Sequence, residues 1–442
     1  MSSNHNIEVV PSNVTSNGTI SYRNGNPVIQ FIIGEQDRLL MGNSVRFTGK
    51  FVARLTSTSL STSGTSPLRM SEKLGVYAAI DTLTIKSQRT GQTIESIRHY
   101  NRFLASYLPV TNSQEDAMTH MNETSLILPN WEAQRQSVVN IPSGSTTQNS
   151  FCMALPCGIL NGRNPIPLMP EAVGGIIVEI HLAPDSQVFF SNTATSASIA
   201  QSFYEFSDVS LVAELMDPSP EALQSIKSQQ SGTFEYNSIS SYYQTINSTN
   251  GILNFQLGLS RVLGVFSNLV PASHINNLVF DGLATMYPTN SDGSAAVIDE
   301  LFFTRNGEKF PINYNIDTIQ RENTDRSTVF HKDDKTMDSQ IIFNYMNAIQ
   351  KFGSLTRTQI NQVNTRYSDD TTFDKYWADG GSGFGIGMAY DSISDQGVDF
   401  SRVNFGVNMS LRLNTDSPQA MFLYVHAKNT LVFGPQGMQV MA

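Results

Sequence analysis

The chain has 442 residues, a net charge of −10 and only 15% charged side chains. This length is too great for one small core and suits two or three domains. The low charge content favours an all-β protein with polar loops over a helix-rich one. Condensing nucleic acid by phosphate neutralisation needs clustered Lys and Arg, so the acidic balance excludes that role.

The sequence gives no sign of secretion or of a membrane span. Residues 1–20 are polar and lack the apolar core of a signal peptide. No apolar run approaches the roughly 18–20 residues that a membrane-spanning helix needs. Two cysteines, Cys152 and Cys157, are too few for a disulfide framework. We therefore expect buried free thiols in a reducing compartment.

The first half of the chain begins with β signals and continues with two helical ones. Residues 1–20 predict a flexible N-terminal arm, and 28–34 is the first strong strand. A second strand is predicted at 44–55, and 78–97 has the pattern of a hairpin. Two short helical candidates follow this hairpin, at 98–108 and 113–121.

The most regular strand of the first half lies at 175–185. Alternation at period 2 gives it one apolar face, made of Ile176, Val178, Ile180 and Leu182. The opposite face carries Glu179 and His181. We expect these two side chains to face solvent or a neighbouring domain and not to form an acid/base pair.

A linker helix is predicted at 217–232. Ser219 is a suitable N-cap, Pro220 suits the first helical position, and Glu221 complements the helix dipole. Leu223 and Ile226 form one apolar stripe, and the segment ends at the glycine of position 232. Such a helix would separate two domains.

Three blocks of the first half recur in the same order in the second half. The strand at 28–34 returns at 252–258, an offset of 224. The hairpin returns with an offset of 218 at its aspartates and 216 at its glycines, and the strand at 175–185 returns 231 residues later. The Asn306-Gly307 pair favours a two-residue hairpin turn. A helix is also predicted at 337–352, stopped by Gly353.

A period near 220 residues indicates tandem duplication of a whole domain and not a solenoid. Runs of strands without βαβ alternation favour a sandwich or barrel, and the jelly roll tolerates long loops. We therefore predict an all-β fold of two tandem eight-stranded jelly rolls, at 21–216 and 233–436, with short helices in loops. Residues 217–232 join them, and a C-terminal tail follows at 437–442.

The sequence predicts no catalytic, cofactor-binding or metal-binding residue. The seven histidines form no H-x-x-x-H or H-E-x-x-H pair, and no G-x-S-x-G elbow occurs. The glycine cluster at 380–387 lacks the lysine of a phosphate loop and predicts a surface loop. The acidic turns at 290–293, 333–334 and 369–370 match no EF-hand, so we expect solvated turns. We expect Trp131 and Trp377 to serve ordinary packing, not sugar stacking.

Five segments resemble the major capsid proteins of virophages and polinton-like viruses. These segments are residues 151–160, 166–168, 174–185, 204–215 and 304–314. The wider lineage contains adenovirus hexon and the tailless, membrane-containing bacteriophages. The resemblance covers most of both halves of the chain as patterns and not as a single motif.

This resemblance implies a double jelly-roll major capsid protein without enzymatic activity or cofactors. Three chains would form a trimeric capsomer of pseudo-hexagonal outline that tiles the icosahedral shell of a double-stranded DNA virus. The implied partners are two further copies, neighbouring capsomers, penton and minor capsid proteins and an internal membrane, and the implied location is the virion, assembled inside the host cell. The alternative is a two-domain jelly-roll protein that binds or acts on carbohydrate, which would need a cleft of converging carboxylates or histidines, or an aromatic platform.

Overall fold

The computed structural model covers the chain in a series of described segments. They are residues 4–15, 18–25, 27–54, 69–71, 74–112, 119–127, 146–190, 202–228, 231–247, 250–278, 282–283, 297–305, 308–309, 344–345, 347–349, 386–390, 396–401, 406–414, 418–434 and 437–442.

Strands dominate these segments. The strands are β1 (Asn4–Val9), β2 (Val28–Ile33), β3 (Leu39–Leu40), β4 (Arg46–Arg54), β5 (Arg69–Met70), β6 (Ile80–Ser87), β7 (Thr93–Arg98), β8 (Thr146–Ala154), β9 (Ile166–Pro167), β10 (Ile176–Leu182), β11 (Phe189–Phe190), β12 (Phe203–Met216), β13 (Gly232–Ile246), β14 (Asn250–Gln256), β15 (Val262–Pro271), β16 (Val297–Arg305), β17 (Glu308–Lys309), β18 (Ile386–Ala389), β19 (Gly406–Asn414), β20 (Gln419–Gly434) and β21 (Gly437–Met441).

The α-helices lie in the connections. They are α1 (Tyr100–Thr111), α2 (His120–Ser125), α3 (Asp185–Val188) and α4 (Pro220–Ser228), with short 3₁₀ turns at Tyr22–Asn24, Gly75–Ala79 and Ala272–His274. Among the described residues, no helix has both the length and the apolar character needed to cross a bilayer.

The first jelly roll, barrel 1, consists of two antiparallel four-stranded sheets. One sheet has the order β8-β4-β12-β1, and the other has the order β2-β10-β6-β7. β3 and β9 extend the first sheet at its end. Aromatic rings fill the space between the sheets: Phe47 lies 6.0 Å from Phe31 across the two layers and 5.0 Å from Phe151.

The second jelly roll, barrel 2, repeats this topology strand for strand. Its sheets have the orders β18-β15-β20-β13 and β14-β19-β16-β17. The first eight principal strands of the chain and the next eight therefore occupy corresponding places in corresponding order. The predicted fold class, two eight-stranded jelly rolls in tandem, is confirmed.

The pairing register confirms the duplication at residue level. Val178 at the centre of β10 pairs with Phe31 and Ile85, and Met409 at the centre of β19 pairs with Leu253 and Phe303. The offsets of 231 and 218 expected from the sequence hold for β19 and β16. The offset between β2 and β14 differs by two residues from the expected 224. Because a strand has a period of two, this shift does not exchange the two faces of the strand.

The hairpin and the first helix match the sequence patterns, and the second helix overlaps its predicted segment only at 120–121. Arg305 pairs with Glu308, which confirms a hairpin at the Asn-Gly pair. Helix α1 lies at the first predicted helical segment and runs three residues beyond its predicted end. In the second predicted segment, α2 begins at His120, and residues 113–118 lie outside the described residues. Residues 344–345 and 347–349 are helical, and the rest of the segment predicted at 337–352 lies outside the described residues.

The linker region contains α4, whose nine residues follow the N-cap Ser219. The Ala222 backbone N–H donates to the Ser219 hydroxyl at 3.2 Å. Lys227 in the last turn forms an exposed ion pair with Asp37. The linker begins after β12 ends at Met216, and β13 begins already at Gly232.

The prediction of a flexible arm at 1–20 is wrong for the strand β1. Residues Asn4–Val9 pair antiparallel with the end of β12 and form one edge of barrel 1. The chain then crosses to the other sheet, where Pro11 bridges Phe31. Ile7 and Val9 lie on the same face of this strand, and that face is half-buried. The strand forms because the open edge of β12 offers unpaired backbone groups with which it can pair.

The C-terminal tail predicted at 437–442 is also a strand over most of its length. β21 pairs with Thr430–Gly434 of β20. The Ser260 hydroxyl donates to the carbonyl oxygen of Ala442 at 2.9 Å. Both ends of the described chain are therefore held by sheet edges.

Deleting residues 1–9 should destabilise barrel 1 and not merely release an arm. The deletion removes a six-residue paired edge, and backbone hydrogen bonds contribute about 0.5–1.5 kcal/mol each, so a loss on the order of 3 kcal/mol is expected. Urea unfolding measures the change, with deletion of residues 1–3, which spares β1, as the control. Equal stability of the two deletions would contradict the structural role of β1.

Candidate functional site: the seam between the jelly rolls

A buried surface that holds several polar and aromatic side chains lies between the two barrels. We call it the seam: β7 and α1 of barrel 1 packed against β13, β15 and β20 of barrel 2. β7 and β13 run close together along the edges of their sheets. The seam joins the domains side by side, so the residues of the seam determine how the two barrels are arranged in the chain.

Helix α1 is buried on all sides. Tyr100, Phe103, Leu104 and Tyr107 are 0% exposed. The polar side chains of the helix are buried as well, because barrel 1 covers it on one side and barrel 2 on the other: Asn101, Arg102 and Ser106 are at most 3% exposed. The helix follows His99, whose φ of 53° turns the chain sharply from β7 into α1.

Aromatic packing joins α1 to the outer face of the β18-β15-β20-β13 sheet. The Phe103 ring lies 5.9 Å from Phe266 on β15 and 5.4 Å from Tyr424 on β20. The Asn268 side-chain amide donates to the Ser106 hydroxyl at 2.8 Å. Aromatic pairs at these separations stabilise the seam beyond the free energy gained by burying their apolar surface.

Polar groups at the start of α1 also reach barrel 2. The Arg102 guanidinium donates to the carbonyl oxygen of Gly282 at 2.6 Å and lies 4.7 Å from the centre of the Phe422 ring. The Tyr424 hydroxyl donates to the carbonyl oxygen of His99 at 2.9 Å. These contacts offset the free-energy cost of burying the Arg102 guanidinium and the Tyr424 hydroxyl.

Glu95 on β7 is a buried carboxylate at the centre of the seam. Its oxygens accept backbone N–H bonds from Gly158 and Ile159 of barrel 1, both at 2.9 Å, and from Ile239 on β13 at 2.7 Å. The residue is 3% exposed. One side chain therefore connects β7, the loop after β8 and the first strand of barrel 2.

Burial raises the pKa of Glu95 to about 7. The loss of solvation outweighs the three backbone N–H donors, which favour the charged form. Burial and the nearby Glu95 carboxyl also raise the pKa of the Cys157 thiol, which keeps that thiol protonated and unreactive.

The backbones of the two barrels approach most closely at Gly158. A Cβ atom built on this glycine would lie 1.8 Å from the carbonyl oxygen of Asn237 on β13. The Tyr236 hydroxyl donates to the carbonyl oxygen of Ile94 at 2.8 Å nearby. Only a residue without a side chain allows this contact.

Glu179 and His181 are on the outer face of β10, as the strand pattern predicts, but Glu179 is not solvated. It is 8% exposed, because the Lys86 ammonium lies 2.6 Å from its carboxylate and the Gln30 amide donates to it at 3.1 Å. The nearest distance between His181 and Glu179 is 3.8 Å. Glu179 therefore forms a buried ion pair on the sheet face, which the sequence pattern did not indicate.

The two cysteines differ. Cys157 is buried, as expected, but Cys152 is exposed, so the expectation of two buried thiols is wrong for Cys152. Cys152 lies on the outer face of β8, where the period of the strand turns it away from the core.

The remaining sequence candidates are mostly outside the described segments. Trp131, Trp377, the glycines at 380–385 and the acidic turns at 290–293, 333–334 and 369–370 fall there. Within the segments that the structure covers, no group of three or more His, Cys, Asp or Glu side chains is placed to hold a metal ion.

Sequence reasoning located α1 but missed its role and missed Glu95. The aromatic and aliphatic residues Tyr100, Phe103, Leu104, Tyr107 and Leu108 were the available signal for a buried helix. Glu95 gave no signal, because a single carboxylate in a strand looks like an ordinary solvated residue until the partner strand is known.

No protein-family model matches this sequence, and no curated protein matches it. Solved structures do match, over nearly the whole chain. VP54 of PBCV-1, as fitted into a reconstruction of the virophage Sputnik, has a TM-score of 0.56 at 11% identity, covering 100% of this chain and 97% of that chain. A chain of the Sputnik virophage structure has a TM-score of 0.53 at 10% identity, with coverages of 99% and 88%.

The Faustovirus major capsid protein is similar as well, with a TM-score of 0.52 at 10% identity and coverages of 97% and 90%. At such identities the likeness concerns the fold. The chain therefore has the double jelly-roll fold of these viral capsid proteins, as the sequence resemblance implied.

Replacing Gly158 by Ala should open the seam. The added methyl group would overlap the backbone of β13, and the expected cost is about 3 kcal/mol, at the upper end for overpacking. Differential scanning calorimetry should show the single unfolding transition separating into two. Gly34→Ala is the control, because nothing lies within 4 Å of a Cβ atom there; an unchanged Gly158→Ala thermogram would show that the barrels are not in close contact.

Glu95→Gln should change how stability depends on pH. The folded pKa of about 7 lies above the usual pKa of 4.5 for a glutamate side chain. The stabilising contribution is therefore complete below the unfolded pKa and is lost as pH rises through 7. The stability of the native protein relative to Glu95→Gln should fall by about 3 kcal/mol between pH 5 and pH 8.

Urea unfolding at both pH values measures this difference. Glu221→Gln on the exposed helix α4 is the matched control and should give the same difference at both pH values. A pH-independent difference for Glu95→Gln would show that Glu95 is ionised throughout this range.

Proposed function

We propose that this chain is the major capsid protein of a double-stranded DNA virus and acts by self-assembly. The observation that carries the proposal is the complete double jelly roll: eight corresponding strands in each half, joined side by side by a buried helix. The similarity to viral capsid proteins over the full length of the chain supports the same conclusion. The chain would be located in the virion and assembled inside the host cell.

The proposed working unit is a homotrimer of pseudo-hexagonal outline. Two barrels of equal topology per chain give six similar barrels per trimer, which suits a hexagonal lattice. The proposed partners are neighbouring capsomers, penton and minor capsid proteins and an internal membrane. The net charge of −10 leaves genome condensation to another, basic component.

The function is structural and not enzymatic in this proposal. The carboxylate of Glu95, buried in the seam, is used by three hydrogen bonds, two from barrel 1 and one from Ile239 of barrel 2. A carboxylate held in this way is inaccessible to substrate. We accordingly assign no catalytic, cofactor-binding or metal-binding residue.

Light scattering coupled to size-exclusion chromatography tests the trimer. The expected mass is three times the chain mass of 48.7 kDa, since the double jelly roll offers six barrels only as a trimer. Trimers concentrated at neutral pH should associate further into sheets or shells, visible by negative-stain electron microscopy. A monomer at all concentrations that binds glycans would instead favour the carbohydrate-binding alternative.

A further inference from the structure

The residue at which the chain turns from β7 into α1, His99, touches both barrels. Its imidazole Nδ1 lies 3.6 Å from a carboxylate oxygen of Asp81, near the start of β6 in barrel 1. On the side of barrel 2, the His99 ring lies 4.9 Å from the ring of Phe422 and 5.8 Å from that of Tyr243. The imidazole is therefore placed between a carboxylate of one barrel and two aromatic rings of the other.

The backbone of His99 is fixed as firmly as its side chain. The φ of 53° is a left-handed conformation, and the carbonyl oxygen accepts the backbone N–H groups of Arg102 and Phe103, both at 3.0 Å. The Tyr424 hydroxyl of barrel 2 donates to the same oxygen. The position of His99 is therefore tied to the first turn of α1 and to β20.

Asp81 is held in its charged form. Burial alone would raise the pKa of this carboxyl, but the hydrogen bonds from His99 and Thr82 and the charge of His181 lower the pKa below its usual value. The Thr82 hydroxyl donates to the carboxylate at 2.9 Å. Asp81 therefore stays ionised in mild acid, where a histidine takes up a proton.

Two further cationic side chains face this site, and each has its own acceptor. The Arg102 guanidinium carries a charge that opposes protonation of His99, but it donates to the carbonyl oxygen of Gly282 at 2.6 Å. His181 reaches Asp81 from β10 and lies 3.8 Å from Glu179. Neither side chain replaces His99 beside the rings of barrel 2.

Glu95 is a second proton-binding position, deeper in the same seam. It accepts the Ile239 N–H of barrel 2 and is protonated as the pH falls through about 7. The titratable groups around it are Cys157, Tyr100 and Tyr236, and burial raises the pKa of each. These three groups stay neutral from pH 5 to pH 8, so the proton that is exchanged there belongs to Glu95.

We propose that the seam binds protons at His99 and at Glu95, so that mild acidification holds the two barrels together more tightly. Protonated His99 is attracted by the Asp81 carboxylate and by the aromatic rings of barrel 2, and this attraction is lost as rising pH removes the proton. The contribution of Glu95 is complete below its unfolded pKa and is lost as pH rises through 7. Both positions therefore favour the closed seam in the same direction.

The consequence is a chain whose two barrels stay together in an acidic compartment. Acid-driven disassembly of a particle built from this chain would have to act on contacts between chains and not on the seam. Proton binding at these positions needs only one chain, so it does not depend on the proposed trimer.

Hydrogen exchange of the α1 amides tests the proposal, because opening of the seam exposes α1. Relative to intrinsic exchange rates, protection of α1 in the native protein should be at least about tenfold higher at pH 5 than at pH 8. His99→Asn keeps a residue that tolerates the left-handed conformation and should reduce this rise about threefold, the effect of a half-exposed ion pair. Equal protection of the native protein at both pH values would overturn the proposal.

Two further variants separate His99 from its neighbours. Asp81→Asn should reduce the rise as much as His99→Asn does, and combining the two substitutions should add nothing, because they remove one interaction. His181→Asn is the matched control: β6 and β7 separate β10 from barrel 2, so this variant should keep the native rise. An equal loss in His181→Asn and His99→Asn, or independent effects of His99→Asn and Asp81→Asn, would contradict the role of His99 at the seam.

Discussion

The burial of α1 between two sheets is the constraint on which the rest of the structure depends. The aromatic side chains of α1 and its polar Arg102 and Ser106 are all buried, and barrel 2 supplies the rings and hydrogen-bond partners that cover one side of the helix. The position of α1 fixes β7 against β13, brings Gly158 against the backbone of β13 and closes water off from Glu95. The two domains are therefore packed against each other as one structural unit and are not joined by the linker alone.

Gene duplication alone would give two equal barrels, and the structure shows where they have diverged. The outer face of one sheet is buried and largely apolar in barrel 2, where α1 covers it, and is polar in barrel 1. That difference separates two kinds of contact. The contact within the chain forms during folding, so its surfaces can be apolar. A surface that contacts another chain is exposed to water before assembly, so it must be polar.

Glu95 makes the stability of the seam sensitive to pH. A carboxylate that accepts three N–H groups orients two loops and a strand, yet its burial favours the protonated form at and below neutral pH. The desolvation of one group thus links the relative stability of the two barrels to pH.

Strand faces were predictable because alternation is local. Val178 and Ile180 are buried as their period of two requires, and the three repeated blocks gave the duplication and the correspondence of β10 with β19. The weakest predictions concerned polar segments. β1 has only Ile7 and Val9 to mark it as a strand, and the open edge of β12 that orders it lies more than two hundred residues away.

The sequence by itself therefore determined the strand periodicity, the tandem duplication, the double jelly roll and the position of α1, because each depends on neighbouring side chains or on a repeat. Only the tertiary structure decided that α1 is the centre of the seam, that Glu95 is buried, that Cys152 is exposed and that both chain ends are paired strands. These features depend on which surfaces meet across long stretches of chain, and a one-dimensional pattern does not contain that information.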